Sequence, residues 1–350
     1  MGNVTQRVLI REMVMRAKFV MVVLMAIGLF ASHANSETAL KFSLDFIMFG
    51  PNSPFVYADE NGYFRDAGLT VRIDPSSGSG DAINRLASGA YDIGYADVST
   101  LIEFAAKNPS SAPKIVLFIQ DRTPSTILYR KQKAISKPKD LEGHSLGSGA
   151  TDAGARMFPT FARLNNIDVA KVDRQLVDFR LRDSMFAQGN FDAIIAYADS
   201  MLNVRTLGLD LSEVGRLDYA DWGLNFYGNA MIASRQIIDG NPEAVRGAVQ
   251  AVAKAWRDAA RDQRPMIDAL VKRNNLAKRE ADLERLQFII KNQVVSPFTQ
   301  TNGIGAVDQK KLDENLKLVA EGFNLASVPS RADIFDDRFL PPIGARKFAD

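Results

Sequence analysis

Two hydrophobic rhythms, one of period two and one of period three to four, divide the chain between them. "LKFSLDFI" sets Leu40, Phe42, Leu44 and Phe46 at alternate positions, which predicts a strand with one buried face. The loop "FGPNSP" follows, where Ser53 and Pro54 supply an N-cap and a first helical position for a helix ending near Gly62. "LTVRID" predicts a second strand, "AINRLASG" a helix and "YDIGY" a third strand. That order implies a mainly parallel sheet with helices on its faces. "KIVLFI", "ILYR", "RQLVDF", "AIIAY" and "NFYGNAMIAS" continue the extended runs. From Asn241 the rhythm is helical. Val245, Val249, Val252, Trp256 and Ala260 form one stripe, Pro265 interrupts, and Leu283, Leu286 and Ile290, then Leu312, Leu316 and Val319, form later ones. The pattern predicts an α/β lobe, a second α/β lobe and a helical tail. Chain crossings near Asp121–Ser125 and Tyr227–Ile232 would form a hinge between the lobes.

The lobes echo one another. "ASGAYDIGYAD" (87–97) recurs as "AQGNFDAIIAYAD" (187–199), so that Ala87, Gly89 and Asp92 match Ala187, Gly189 and Asp192. Tyr95, Ala96 and Asp97 likewise match Tyr197, Ala198 and Asp199. Each copy reads as a helix stopped by glycine, a buried strand, and an aspartate placed to cap the next helix.

Residues 1–36 stand apart. Arg7, Arg11, Arg16 and Lys18 precede the apolar run Phe19–Ala31, which is shorter than the roughly 20 residues of a bilayer span but suits the core of an export signal. Small residues predict cleavage near Ala34–Ser36, and a start at Met13 or Met15 would make a more compact leader. With that leader's four basic residues and one acidic residue removed, the formal charge of +2 becomes about −1, and no basic footprint for nucleic acid remains. There is no cysteine, and the two histidines are His33 and His144. This composition excludes a thiolate metal site, a cysteine nucleophile and a histidine-built metal centre. The expectation is an exported protein with no cofactor and no metal.

In open α/β sheets, ligands sit beyond the carboxyl ends of the strands. The loops there are "FGPNSP", "PSSGSGD" and "YADVS" in the first lobe and "GSGATDAG", "DFRLRD" and "YADS" in the second. Free N–H groups at helix starts by Ser79 and Gly80, and from Ser148 to Thr151, suit a carboxylate, sulfonate or phosphate. Neither glycine stretch has a dinucleotide or P-loop spacing. Arg180 or Arg182 offers a bidentate grip on an anion, or else a surface pair with Asp178 or Asp183. Phe49, Tyr95, Tyr197, Trp222 and Tyr227 stand beside these loops as stacking surfaces or as core. Asp97 and Asp199, were they to face each other, would be the acid and base of an enzyme; capping is their simpler use.

"GYFRDAGLTVRIDPSSGSGDAINRLASGAYDIGYADVSTLI", with "KPKDLEGHSLG" and "DWGLNFYGNAMIAS" further on, resembles the SsuA/TauA/ThiY (NMT1-like) substrate-binding proteins of ABC importers. The resemblance covers essentially the whole mature chain and implies a periplasmic monomer. It implies an α/β, two-lobed type II periplasmic-binding-protein fold, each lobe a mixed, mainly parallel sheet flanked by helices, plus a C-terminal helical segment. Residues 37–122 with 232–350 would form one lobe and 123–231 the other. It further implies capture of a small anionic or heteroaromatic molecule, of sulfonate, aromatic carboxylate or pyrimidine (thiamine-precursor) type, for an ABC permease in the inner membrane, with no catalysis. Ligand sensing for a receptor is the alternative. The contacts it implies are Phe49, Asn52, Ser79, Gly80, Tyr95 and Asp97 from the first lobe and Ser148, Thr151, Arg180 and Tyr197 from the second. Asp221 and Trp222 would add contacts near the return crossing. "MFGPNSP" departs from the pattern of pyrimidine binders, which carry a histidine after the first strand.

Overall fold

The computed structural model describes residues 37–149 and 152–348, so the leader reading and Thr151 lie outside the described residues. In the first lobe β1 (Thr38–Ser43) buries Leu40 and Phe42 as the alternation predicts, but it stops short and releases Asp45 and Phe46 into a loop. A 3-10 turn, Gly50–Asn52, precedes α1 (Ser53–Glu60), so Asn52 takes the N-cap place expected of Ser53, whose hydroxyl donates instead to the Gly50 carbonyl. β2 (Leu69–Asp74), α2 (Ser79–Ala87), β3 (Ile93–Asp97), α3 (Val98–Lys107) and β4 (Lys114–Phe118) follow.

The second lobe runs β5 (Ser125–Arg130), β6 (Ser145–Ser148), α4 (Ala153–Leu164), β7 (Asp173–Leu176), α5 (Phe179–Ala187), β8 (Ala193–Tyr197), α6 (Ser200–Thr206) and β9 (Val214–Asp218). The chain then returns to the first sheet as β10 (Asn229–Ala233). The two sheets have orders β2-β1-β3-β10-β4 and β7-β6-β8-β5-β9. In each, three parallel strands meet a fourth, antiparallel strand that arrives from the other lobe. The sequence repeat is therefore a structural one. Gly89 and Gly189 end α2 and α5 at φ +75° and +89°, a backbone region that costs glycine least. Asp92 then accepts from the Lys41 N–H and Asp192 from the Ser145 N–H, tying β3 and β8 to equivalent neighbours.

The connecting segments, 119–124 and 219–228, run side by side. The Gly228 N–H donates to Gln120 O and the Thr123 N–H to Phe226 O. The return crossing thus precedes Asn229, earlier than the pattern indicated.

The helical tail holds α7 (Pro242–Arg261), α8 (Arg264–Arg273), α9 (Arg279–Ile289), a π turn (Ile290–Val294) and α10 (Gln309–Gly322). Val245, Val249, Val252 and Trp256 on α7 are buried against the outer face of the first sheet, where Trp256 meets Phe55 edge-on at 5.9 Å. α10 buries Leu312, Leu316 and Val319 in a cluster that also takes in Leu101 and Ile115 of the first lobe and Ile127, Phe158 and Leu217 of the second. Among the described residues no helix is long and apolar enough to cross a membrane.

Candidate functional site

A cavity of about 790 Å³ lies beyond the carboxyl ends of the parallel strands of both sheets, where open α/β sheets place their ligands. β1 delivers Asp45, Phe46 and Phe49 to it, and the turn after β2 delivers Ser76–Ser79. β8 contributes Tyr197 and Asp199, and α5 contributes Arg182 and Asp183. The antiparallel β10 adds Asn229 from its first position. The helical tail closes one side with Lys278, Arg285, Ile289 and Gln293.

Of the sequence-expected contacts, Phe49, Ser79, Tyr95, Arg180 and Tyr197 line this cavity. Tyr95 is 1% exposed, packs on Phe55 with ring centroids 4.9 Å apart, and its hydroxyl has no partner among the described residues. Ser79 opens α2, and its hydroxyl accepts from the Asp97 N–H at 3.0 Å. Arg180 is three-quarters exposed at the rim and forks onto both oxygens of Asp178, the surface pair that was the alternative reading.

The remaining expectations fall elsewhere. Asn52 is buried behind the cavity, donating to Asp45 Oδ1 at 3.2 Å and to the Ile47 carbonyl at 3.0 Å, so it orients a lining residue instead of lining the cavity. Gly80 sits within α2, one residue behind the cavity edge. Asp97 caps α3 and accepts from the Thr100 N–H at 2.9 Å and from the Ser99 and Thr100 hydroxyls. Those bonds commit it, and the acid–base pairing of Asp97 with Asp199 has no geometric support. Asp199 starts α6 with no side-chain cap and lines the cavity. Ser148 is buried at the end of β6, away from the lining. Asp221 is exposed and pairs with Arg122 at 2.7 Å, beside a separate small cavity of about 130 Å³. Trp222 packs against the core shared by the lobes, and Tyr227 is buried there, its hydroxyl accepting from the Asp308 N–H at 2.8 Å.

The electrostatics come partly from residues the sequence did not single out. Asp45 accepts from Asn229 Nδ2 at 2.6 Å as well as from Asn52. Burial pushes its carboxyl up to about 7 against the pull of those two bonds, and the nearby Asp199 adds to the rise. Asp199 is itself raised by burial, with Arg285 opposing. Arg182 is held between Asp152 at 2.7 Å and Asp183 at 2.9 Å, and also reaches the Ser200 hydroxyl. Burial raises the Tyr95 and Tyr197 hydroxyls, keeping both protonated. Arg285 bonds Asn203 and lies over the Phe49 ring, 5.8 Å from its centroid. Gln293, in the π turn, leaves both amide atoms buried without partners. Arg182, Tyr95, Tyr197 and Asp199 were marked in the sequence, and Asn229 lay in the quoted "DWGLNFYGNAMIAS" segment. Asp45 and Arg285 occupy ordinary polar places in strand and helix patterns. Among the described residues no group of three or more metal-binding side chains is arranged to hold an ion.

The family model described as NMT1/THI5 like matches residues 52–265. Among solved structures, the periplasmic aliphatic sulphonate binding protein SsuA from Escherichia coli superposes with a TM-score of 0.65 at 16% identity, over 85% of this chain and 96% of that one. The alkanesulfonate-binding protein SsuA from Xanthomonas axonopodis pv. citri, bound to MOPS, gives 0.63 at 15% identity over 85% and 98%. The ligand binding component of an ABC-type import system from Staphylococcus aureus, with zinc bound, gives 0.64 at 10% identity over 86% and 97%. At these identities the likeness establishes the fold, the two-lobed type II periplasmic-binding architecture. No curated protein sequence matches the chain.

Proposed function

We propose, from the premise that the chain belongs to the NMT1/THI5-like family, that it is the solute-binding component of an ABC importer. In this reading residues 1–36 direct export to the periplasm and are removed. Residues 37–122 with 229–350, and residues 123–228, then close as two lobes about the paired crossings, the return falling just before Asn229 and not at 232. The captured solute is a small anionic or heteroaromatic molecule, passed on to an inner-membrane permease without chemical change.

One observation carries the proposal: a cavity of ligand size lined from both sheets, in which buried polar atoms of Tyr95, Asn229 and Gln293 have no partner among the described residues. Buried polar groups are normally satisfied, so atoms left open at a cavity wall fit a site completed by a ligand or by ordered water. The aromatic edges of Phe49, Tyr95 and Tyr197 fit a planar or apolar body. The solved neighbours named for sulfonates and for ABC-type import support the same reading.

The test is a melting-temperature screen of the purified mature protein against alkanesulfonates, aromatic carboxylates and pyrimidines, with small-angle scattering on any hit. The expected result is a hit of roughly micromolar affinity, about −8 kcal/mol. At about 100-fold excess over Kd it should add about 2.7 kcal/mol of stability and reduce the radius of gyration. Tyr197→Ala should weaken it about tenfold, consistent with loss of a stacking face. Turnover of the hit by pure protein, or a hit unaffected by substitutions in the cavity, would overturn the reading.

A further inference from the structure

The two ends of the cavity differ in chemistry, and the end at Asp45 has too many acceptors. Asp45 receives its two side-chain donors from the amides of Asn52 and Asn229. Turning those Nδ2 groups toward the carboxylate leaves the Oδ1 atoms of both amides buried and without a donor. Asn229 is 2% exposed and lines the cavity beside Tyr95, whose hydroxyl is also unpartnered. Asp199 stands at the same cavity with its carboxylate unused by α6.

Two of the four nearby cations among the described residues are committed elsewhere. Arg182 is balanced by Asp152 and Asp183, and Arg180 forks onto Asp178. The other two stand on the tail side: Arg285 bonds Asn203, covers Phe49 and acts on Asp199 at longer range, with its Nε buried and unpartnered among the described residues, and Lys278 lines the same wall. Among the described residues no lysine or arginine comes within ion-pairing distance of Asp45 or Asp199. Asp45, poorly solvated and further disfavoured as a carboxylate by Asp199, resists an incoming anion at its own end of the cavity and is relieved there by a cation bearing N–H donors.

Within the solute-binding reading proposed above, on which this step rests, we infer that the cavity takes a planar ligand presenting a cationic, N–H-donating nitrogen group to Asp45 and Asp199. The donors fill the open acceptors at Asp45 and Asn229, and the flat body lies among Phe46, Phe49 and Tyr197. A simple alkanesulfonate offers neither donor nor positive charge to this end.

Benzamidine, benzamide and benzoate test the inference, since they share one shape and differ in charge. In titration calorimetry at about pH 8, where benzamidine is protonated and Asp45 ionised, benzamidine should bind at least about tenfold tighter than benzamide, with benzoate weakest. Asp45→Asn should lose at least about tenfold for benzamidine, and its unliganded melting temperature at that pH should not fall, which shows that the variant folds. Asp199→Asn should lose affinity in the same direction. Wild-type affinity should also weaken as pH drops toward about 5.5, because protons then compete for Asp45. The groups facing Asp45 in that range are the two asparagines, Asp199, and the protonated phenols of Tyr95 and Tyr197. Benzoate binding as tightly as benzamidine, an Asp45→Asn change within about twofold, or no benzamidine uptake at millimolar concentration each overturns the inference. Tight benzoate binding in the same cavity would leave the solute-binding role intact, whereas failure of these probes and of the wider screen together would remove both.

Discussion

At the scale of single residues, Asp45 couples the unliganded protein's stability to pH. Its folded value of about 7 lies above the ordinary 3.8, so between those values the folded state holds a proton that the unfolded chain has lost. That contribution is complete below about pH 4 and is lost as pH rises through about 7. Melting temperature should therefore rise as pH is lowered from about 8 to about 5.5, and Asp45→Asn should flatten the slope. Asp178 and Asp192 are depressed to about 2 by their partners and titrate outside this window. A wild-type melting temperature that climbs with pH across the same range would refute the assignment. The sequence hid this residue because "LKFSLDFI" gives Asp45 a position on the polar face of a strand. Only the end of β1 at Ser43 turns it into the cleft. Asp97 was legible because capping is decided by the three residues that follow it. Arg180 and Arg182 were not separable, since which of them faces inward depends on α5 beginning at Phe179 and not on either side chain.

At the scale of elements, the cleft owes one wall to α9, which the sequence marked as no more than an amphipathic helix. Its docking rests on Asp282, 5% exposed, which accepts from the Gly50 and Lys278 N–H groups, both at 2.8 Å. The backbones approach so closely that a Cβ on Gly50 would overlap the Asp282 carbonyl, so glycine is required there. Asp282→Ala orphans two backbone donors and should cost about 1–3 kcal/mol in urea melts. It should also weaken ligand binding, because Arg285, Ile289 and Gln293 ride on the same helix and the turn after it. Unchanged stability would show that α9 is held by other contacts. β9 escaped the pattern reading for a related reason. "VGRLD" carries a glycine that lowers its strand signal, yet Gly215 sits where a side chain would strike the Tyr129 ring of the neighbouring strand. Periodicity cannot show what lies across a strand pair. In the Gly89/Asp92 and Gly189/Asp192 repeat the helix stop was legible because it is local, whereas the fastening of the strand was not, since Asp92 and Asp192 reach across 51 and 47 residues to the N–H groups of Lys41 and Ser145.

At the scale of the whole molecule, the duplicated motif foretold two similar sheets but not the core they share. Leu101 and Ile115 of one lobe join Ile127, Phe158 and Leu217 of the other in a single apolar cluster, sealed by Leu312 and Leu316 of α10. Glu103 on α3 and Arg156 on α4 pair beside it. Lobes joined only by a polar hinge melt separately, whereas a continuous apolar interface makes each depend on the other. Thermal unfolding should thus be one transition, with calorimetric and van't Hoff enthalpies in a ratio near 1. In Trp222→Phe, the fluorescence of Trp256 reports the first lobe's own core and should follow the same curve as far-UV circular dichroism. Two separated midpoints would mean that the cluster divides and the lobes are energetically independent. A single midpoint confines any closure to the cavity side of the crossings, because motion that opened the Gln120–Gly228 and Thr123–Phe226 pairs would also prise apart the cluster beside them. Ligand capture would then draw the cavity walls together around Asp45 and Arg285 while α10 keeps its place across both lobes.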